Sequence, residues 1–310
     1  MIKNRHFLSI NDYSAAEIKE LLDTAAEIKK HPKRFRKALK GQVLAMIFEK
    51  SSTRTRVSFE TGMYQLGGAA QFLSSRDIQL GRGEPISDTA AVLSRYVQGI
   101  MARTFSHQTV LDLAKYGTVP VVNGLTDLEH PCQIMADLQT IREHFGTLKG
   151  LKMTYIGDGN NMAHSYMQGA GKVGMDCTII TPKDPKYYPN ADIIKGAEAD
   201  HAAQGTKLVL TDDVMGGVVG SHIVITDTWI SMGMEDEKAE RMAAFKGFGV
   251  TQEVMDAAGK DAIFLHCLPA YRGYEVMPEV IDGPQSLIYD EAENRLHAQK
   301  AILYHLMKKD

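Results

Sequence analysis

The chain has 310 residues, 38 acidic against 35 basic with a formal net charge of -3, and three cysteines. That length exceeds what one hydrophobic core usually serves, so two domains of about 150 residues are expected. The charge balance excludes the basic stripe that nucleic acid or an anionic membrane would require, and an odd set of cysteines without CxxC spacing (Cys132, Cys177, Cys267) speaks against a disulfide framework or structural zinc and for a reducing cytoplasm.

In chain order, the opening "MIKNRHFLSINDYSAAEIKE" carries no continuous apolar segment of the export type. No later run reaches the roughly 20 apolar residues of a membrane span. Ser14 followed by Glu17 reads as a capping box opening the helix "AAEIKELLDTAAEIKK", with Ile18, Leu21, Leu22, Ala25 and Ile28 in helical spacing. Strand candidates follow at "VLAMIF", "AAQFL", "GIMAR" and "VPVVNG". A helix over "HPCQIMADLQTIREHF" leads to a second series, "KMTYIG", "CTIIT", "KLVLT", "HIVIT" and "AIFLHC". Most are separated by helix-length segments, and their apolar runs are continuous instead of alternating, the pattern of strands buried on both faces of a parallel sheet. The fold expected is α/β with two doubly wound domains around central parallel sheets, residues 1–146 and 147–310. A last helix at about 290–308 could return to the first domain, its docking site being left open by the sequence.

Chemistry-bearing clusters fall where strands hand over to helices. "SSTRTR" (51–56) follows the first strand and places Ser52, Thr53, Arg54 and Thr55 at a helix N-terminus, where free N–H groups, the helix dipole and a forked guanidinium suit an anion. A hydroxyl-capped surface helix is the plainer reading of that cluster alone. "HPCQ" (130–133) sets His130 and Gln133 at the start of the next long helix, with Pro131 near its first position. "FLHCLPAYRG" (264–273) ends the last strand. Ligand crevices of parallel sheets lie beyond the carboxyl ends of the strands, and all three clusters occupy such positions. Singly, His130 reads equally well as a helix cap and Cys267 as a small buried hydrophobe.

Taken together, "SSTRTR", "MARTF", "HPCQ", "DTWISMG" and "HCLPAYRG", in this order along essentially the whole chain, resemble the aspartate/ornithine carbamoyltransferase family, most closely its ornithine branch. The resemblance implies that Ser52, Thr53, Arg54 and Thr55 bind the phosphate of carbamoyl phosphate, and that Arg103, His130 and Gln133 hold its carbamoyl group. Cys267, Leu268 and Arg295 would surround the transferred group. Gln79, in the loop "SSRDIQLGRGEPISDT" that also carries Arg82, resembles a glutamine reaching the site of an adjacent subunit. Asn161, Asp227, Ser231 and Met232 resemble ornithine-binding positions. Arg103, His130, Asp227 and Cys267 are the implied catalytic residues, a homotrimer or an assembly of trimers the implied oligomer, and no metal or organic cofactor is implied.

A dinucleotide enzyme is the first rival, since "YIGDGNNM" follows a strand in GxGxxG style. Met162 replaces the third glycine, and Thr181 and Pro182 stand where an acidic ribose ligand belongs. A purely binding or regulatory protein of this fold is a second class, which a carbamoylation assay separates. Within the family, the aspartate type carries a lysine in the mobile loop, and residues 74–89 contain none. The "SMG" of 231–233 resembles the ornithine type instead of the putrescine or acylated-ornithine types. Direction is set at arginine synthesis, with arginine breakdown as the alternative.

Overall fold

The computed structural model describes residues 2, 6–79 and 83–308. It divides the chain into two compact units, Met1–Gln139 with Glu293–Asp310, and Thr140–Ala292.

Unit 1 holds a parallel sheet of β1 (Val43–Phe48), β2 (Ala69–Ser74), β3 (Gly99–Arg103) and β4 (Val121–Leu125) in the order β2-β1-β3-β4. Its helices include α1 (Ala15–Lys30), the short α2 (Pro32–Phe35), α3 (Thr53–Gln65), α4 (Ile86–Tyr96), α5 (His107–Tyr116) and the first part of α6 (Pro131–Phe145). The capping box on α1 forms in full, Ser14 Oγ accepting from Glu17 N and Glu17 Oε2 from Ser14 N. Ile18, Leu21, Leu22, Ala25 and Ile28 are all buried, as their spacing requires.

Unit 2 holds β5 (Lys152–Ile156), β6 (Asp176–Ile180), β7 (Leu208–Thr211), β8 (Ile223–Thr226) and β9 (Ile263–His266), all parallel in the order β7-β6-β5-β8-β9. Around it run α7 (Asn161–Val173), α8 (Ala191–Gln204), α9 (Val214–Val218), α10 (Lys238–Ala244), α11 (Gln252–Ala258) and α12 (Pro278–Ile281). α13 (Ile288–Met307) starts in unit 2 and continues into unit 1. The strand order reverses between β1 and β3 in unit 1 and between β5 and β8 in unit 2. At such points neighbouring loops diverge and leave room for a ligand.

One expectation needs correction. Burial on both faces holds for β3, β8 and β9 but not for β2 and β7, whose residues are mostly half-buried or exposed. Both are edge strands, with a neighbour on one side only. The opposite edges are covered instead. Phe7 bridges to β4, its N–H donating to Val121 O and its carbonyl accepting from Asn123 N, both at 2.8 Å. Phe264 of β9 is bridged in the same way by the 285–287 segment. An open row of strand N–H and C=O groups is a template for pairing with other chains, and these segments occupy it.

Compact units drawn from contacts fall at other limits than the domains read from the sequence. A break was expected near Gly146, where α6 ends and φ turns to 74°, but the units divide earlier, within α6 itself. The residues after Ala292, assigned above to the second domain, cluster with unit 1. The sequence marks where a helix stops. It carries no mark of which core a continuing helix has joined.

Candidate active site

In unit 1 the loops beyond β1, β3 and β4 carry the clusters. Ser52 caps α3, its Oγ accepting from Thr55 N at 3.2 Å and donating to Thr55 Oγ1 at 3.1 Å, so the first-turn N–H groups of a thirteen-residue helix meet Arg54 and the hydroxyls of 52–55. Thr55 is fully buried, Ser52 and Arg54 are half-buried, and Thr53 is exposed. Arg103, the last residue of β3, is buried, as are His130 and Gln133 at the start of α6. α13 brings in Arg295, 2 % exposed, whose Nη1 donates to Gln133 Oε1 at 2.6 Å and Nη2 to Thr55 Oγ1 at 3.2 Å. Gln133 passes the link on, Nε2 donating to Asp137 Oδ1 at 2.8 Å. With its amide oxygen turned toward the guanidinium, Gln299 accepts from Arg295 Nη2 at 3.0 Å and Nε at 3.2 Å and donates to Ser58 Oγ at 2.6 Å.

Burial, and then the charges of Arg295, Arg103 and Arg54, hold the His130 imidazole well below its ordinary pKa. It is neutral at pH 7, a polar group among three cations. Such a cluster is built to receive an anion of more than one charge. Lys50, which the motif reading passed over, ties the three loops together: it pairs with Asp127 after β4 and lies 4.4 Å from the ring centroid of Phe105 after β3.

In unit 2 the counterpart sits beyond β5, β8 and β9. Asp227, 8 % exposed, receives the Thr228 N–H at 2.7 Å and the Cys267 thiol at 3.1 Å on Oδ1, and the Asn160 amide at 3.3 Å on Oδ2. Asn161 opens α7 and Asn160 caps it. Leu268 takes φ 57°, a conformation few side chains adopt, and its N–H donates to His266 Nδ1 at 2.9 Å. His266 therefore carries its proton on Nε2, which faces Glu275 Oε1 at 3.3 Å with both side chains fully buried. Glu275 Oε1 also receives Tyr271 N at 2.5 Å, and Glu291 Oε2 receives His266 N at 2.8 Å. The Cys267–Leu268 turn is thus held by His266, which lies inside its motif, and by two glutamates that no motif announced.

Asp227, His266 and Cys267 place one potential metal-ligand atom each within 4.8 Å of one another. A cation bound there would have to displace the Leu268 N–H from Nδ1 or Glu275 from Nε2.

Ser231 and Met232 lie on the segment after β8, half-buried and 45 % exposed respectively. They are tied to the Asp227 group by chain connection alone. That segment is anchored by Trp229, stacked on Phe245 at 5.6 Å, and by Arg241, whose Nη1 donates to Trp229 O at 3.1 Å and to Asp158 Oδ2 at 2.7 Å. Gln79 is exposed on the segment after β2. Arg82, on the same loop, lies outside the described residues.

Comparison with known proteins also divides the chain in two, near the limit expected from the sequence. Residues 5–143 match the aspartate/ornithine carbamoyltransferase carbamoyl-P binding domain, and residues 149–306 the Asp/Orn binding domain of the same family. The chain is 56 % identical over 307 residues to the ornithine carbamoyltransferase of Carboxydothermus hydrogenoformans, covering 98 % of each. Its resemblance to that of Oceanobacillus iheyensis is 52 % over 308 residues, covering 99 % of this chain and 95 % of the other. Among solved structures, the ornithine carbamoyltransferase of Pyrococcus furiosus superposes with a TM-score of 0.93 at 50 % identity, covering 97 % of this chain and 96 % of that one. The anabolic ornithine carbamoyltransferase of Campylobacter jejuni gives a TM-score of 0.91 at 43 % identity, covering 97 % and 98 %.

Proposed function

Because this chain belongs to the aspartate/ornithine carbamoyltransferase family, we infer that it transfers the carbamoyl group of carbamoyl phosphate to the δ-amine of L-ornithine, giving citrulline and phosphate. The observation that carries the reading is the cluster of Arg54, Arg103 and Arg295 about a neutral His130. The buried Asp227 carboxylate and the names of the relatives support ornithine as the acceptor.

The phosphate is received by Ser52, Thr53, Arg54 and Thr55, with the first N–H groups of α3 and with Arg103. Arg103, His130 and Thr55 donate to the carbamoyl oxygen as negative charge grows on it. Fixed donors of this kind contribute about 3 to 4 kcal/mol each when aimed at the oxyanion. Gln133 and the Cys267 and Leu268 carbonyls accept from the carbamoyl NH2, and Arg295 holds Gln133 and Thr55 in place. The neutral δ-amine attacks the carbamoyl carbon, a C–N bond forms, and the C–O bond to phosphate breaks. An amine of this kind has an ordinary pKa near about 10.4, so it must first lose a proton. Asp227 and the Cys267 thiol hydrogen-bonded to it are the groups of unit 2 that take part in this proton transfer. Asp227 and Ser231 also grip the α-ammonium, while Asn161 and the Met232 N–H meet the carboxylate.

The assembly follows as a homotrimer or a set of trimers in which Gln79 serves a neighbouring copy. Tyr64 on α3 and Tyr96 on α4, 80 % and 71 % exposed, support a covered surface. The free thiols of Cys132, Cys177 and Cys267 support a reducing compartment, the cytoplasm. The anabolic relative from Campylobacter jejuni supports synthesis of arginine as the direction. The test is citrulline formation from carbamoyl phosphate and ornithine, beside aspartate, putrescine and N-acetylornithine. A site built for a carboxylate and an ammonium should reject analogues lacking either by about 10⁴ to 10⁵. Comparable kcat/KM on all four amines overturns the reading.

A further inference from the structure

We propose that Asn160, beside the ornithine-type Asn161, is a positioning residue that fixes the Asp227 carboxylate for the amine substrate. Its amide is committed at both ends. Oδ1 accepts from the first-turn N–H groups of α7, Met162 at 2.9 Å and Ala163 at 3.4 Å, and faces Tyr155 OH at 3.5 Å. An amide oxygen held by N–H donors leaves only the NH2 to face Asp227, and Nδ2 reaches Oδ2 at 3.3 Å. The loop cannot drift to loosen this contact. Gly159 packs so tightly on the 187–189 segment that a Cβ there would lie 2.5 Å from Pro189 N and Tyr187 O, and its own N–H donates to Tyr187 O at 2.9 Å.

Asp227 thereby receives donors from three loops: its own Thr228 N–H and the Cys267 thiol on Oδ1, and Asn160 on Oδ2. A carboxylate offers about four acceptor positions, so one is left, on Oδ2. That position is where a cationic or amine nitrogen would be received. The other ionisable groups around it are Tyr155 from β5, Asp158 paired with Arg241 from α10, His266 and Cys267 from the end of β9, and Glu275 behind them.

The inference rests on the reading that Asp227 binds ornithine, and its test separates the two. Asn160→Asp retains the helix cap, since aspartate caps as well as asparagine, but replaces the donor facing Asp227 by a second carboxylate. Asn160→Ser retains a cap and removes the donor. Asn160→Ser should melt within about 2 °C of the parent, Asn160→Asp about 3 to 6 °C lower at pH 7 from the repulsion of its two carboxylates, and both should bind carbamoyl phosphate unchanged by calorimetry. For Asn160→Ser, the KM for ornithine should rise about tenfold with a smaller change in kcat. For Asn160→Asp, kcat/KM for ornithine should fall about a hundredfold at pH 7, and its rise with pH should move upward by about 1 unit or more, as two adjacent carboxylates resist double ionisation. Asp227→Asn serves as the reference. If it impairs ornithine kinetics while both Asn160 variants match the parent, the inference is overturned alone. Ornithine and carbamoyl phosphate constants weakening together, in step with a falling melting temperature, also overturn it, since that is the mark of a merely structural cap. An unaffected Asp227→Asn overturns the assignment of Asp227, and the inference with it.

Discussion

Replacing Arg241 by Met should cost unit 2 about 3 to 5 kcal/mol at pH 7, the range for leaving one member of a buried ion pair uncompensated. The guanidinium is 4 % exposed and Asp158 7 % exposed, so neither charge has water to fall back on. Three contacts are lost: Nη1 to Asp158 Oδ2 at 2.7 Å, Nη1 to Trp229 O at 3.1 Å and Nε to Glu237 Oε2 at 2.9 Å. Methionine fills much of the stem volume, so little of the loss comes from a cavity. Burial already raises the Asp158 pKa, and Arg241 is the chief influence opposing it. A carboxyl with a raised folded-state pKa stabilises fully below its unfolded pKa and loses that contribution as pH rises through the folded value. Without Arg241 the folded pKa climbs further, so the deficit of the variant should shrink as pH falls from 7 toward 5. Denaturant unfolding at several pH values measures this directly, and for a unit of this size the thermal midpoint should drop by roughly 6 to 20 °C. Adding Asp158→Asn should recover much of the loss. A deficit below about 1 kcal/mol, or a double variant no better than the single one, refutes the argument.

Arg54→Ala should weaken carbamoyl phosphate binding about ten- to a hundredfold, the worth of a charge-assisted hydrogen bond, with the fold intact; calorimetry and circular dichroism check both halves. Lys300→Met should stabilise unit 1. Burial lowers the Lys300 amine to about 8, which costs about 3 kcal/mol at pH 7 relative to an unshifted lysine, while the lost hydrogen bond to Gln65 at 2.7 Å returns about 1. A net gain of about 2 kcal/mol is expected below pH 8, vanishing as pH approaches the unfolded lysine value, and unfolding curves at pH 7 and 10 decide it. Mixing inactive Gln79→Ala and His130→Ala proteins under subunit exchange should restore part of the activity, because some mixed sites escape both lesions; a mixture that exchanges but stays inactive argues against Gln79 serving a neighbouring copy.

Every strand was legible in the sequence, because apolar runs such as "VLAMIF" and "HIVIT" cannot be solvated, and so was the capping box of α1, which is local. What stayed hidden depends on partners distant in the chain. Arg241 meets Asp158 across 83 residues and Asn160 meets Asp227 across 67, and nothing within either segment names the other. His266 was quoted within its motif, but its role needs Glu275 and Glu291, which belong to unrelated segments. Asn160 was overshadowed by its neighbour, since in "NN" only the fold tells which asparagine caps and which is open to a guest. The exposure of β2 and β7 was equally hidden, because an apolar strand reads the same at the edge of a sheet as at its centre.

The place of α13 in the chain has a consequence for synthesis on the ribosome. Arg295 and Gln299, which hold Thr55, Gln133 and Ser58, emerge only after all of unit 2. At about 5 to 20 residues per second, the 162 residues separating Gln133 from Arg295 take roughly 8 to 32 s to appear. Throughout that interval the Thr140–Ala292 sequence of unit 2 is still being made, while Met1–Gln139 waits for the residues that close its site. The anion-facing half is therefore begun first and closed last, and phosphate compounds should fail to protect unit 1 from protease in ribosome-bound chains stalled ahead of Arg295.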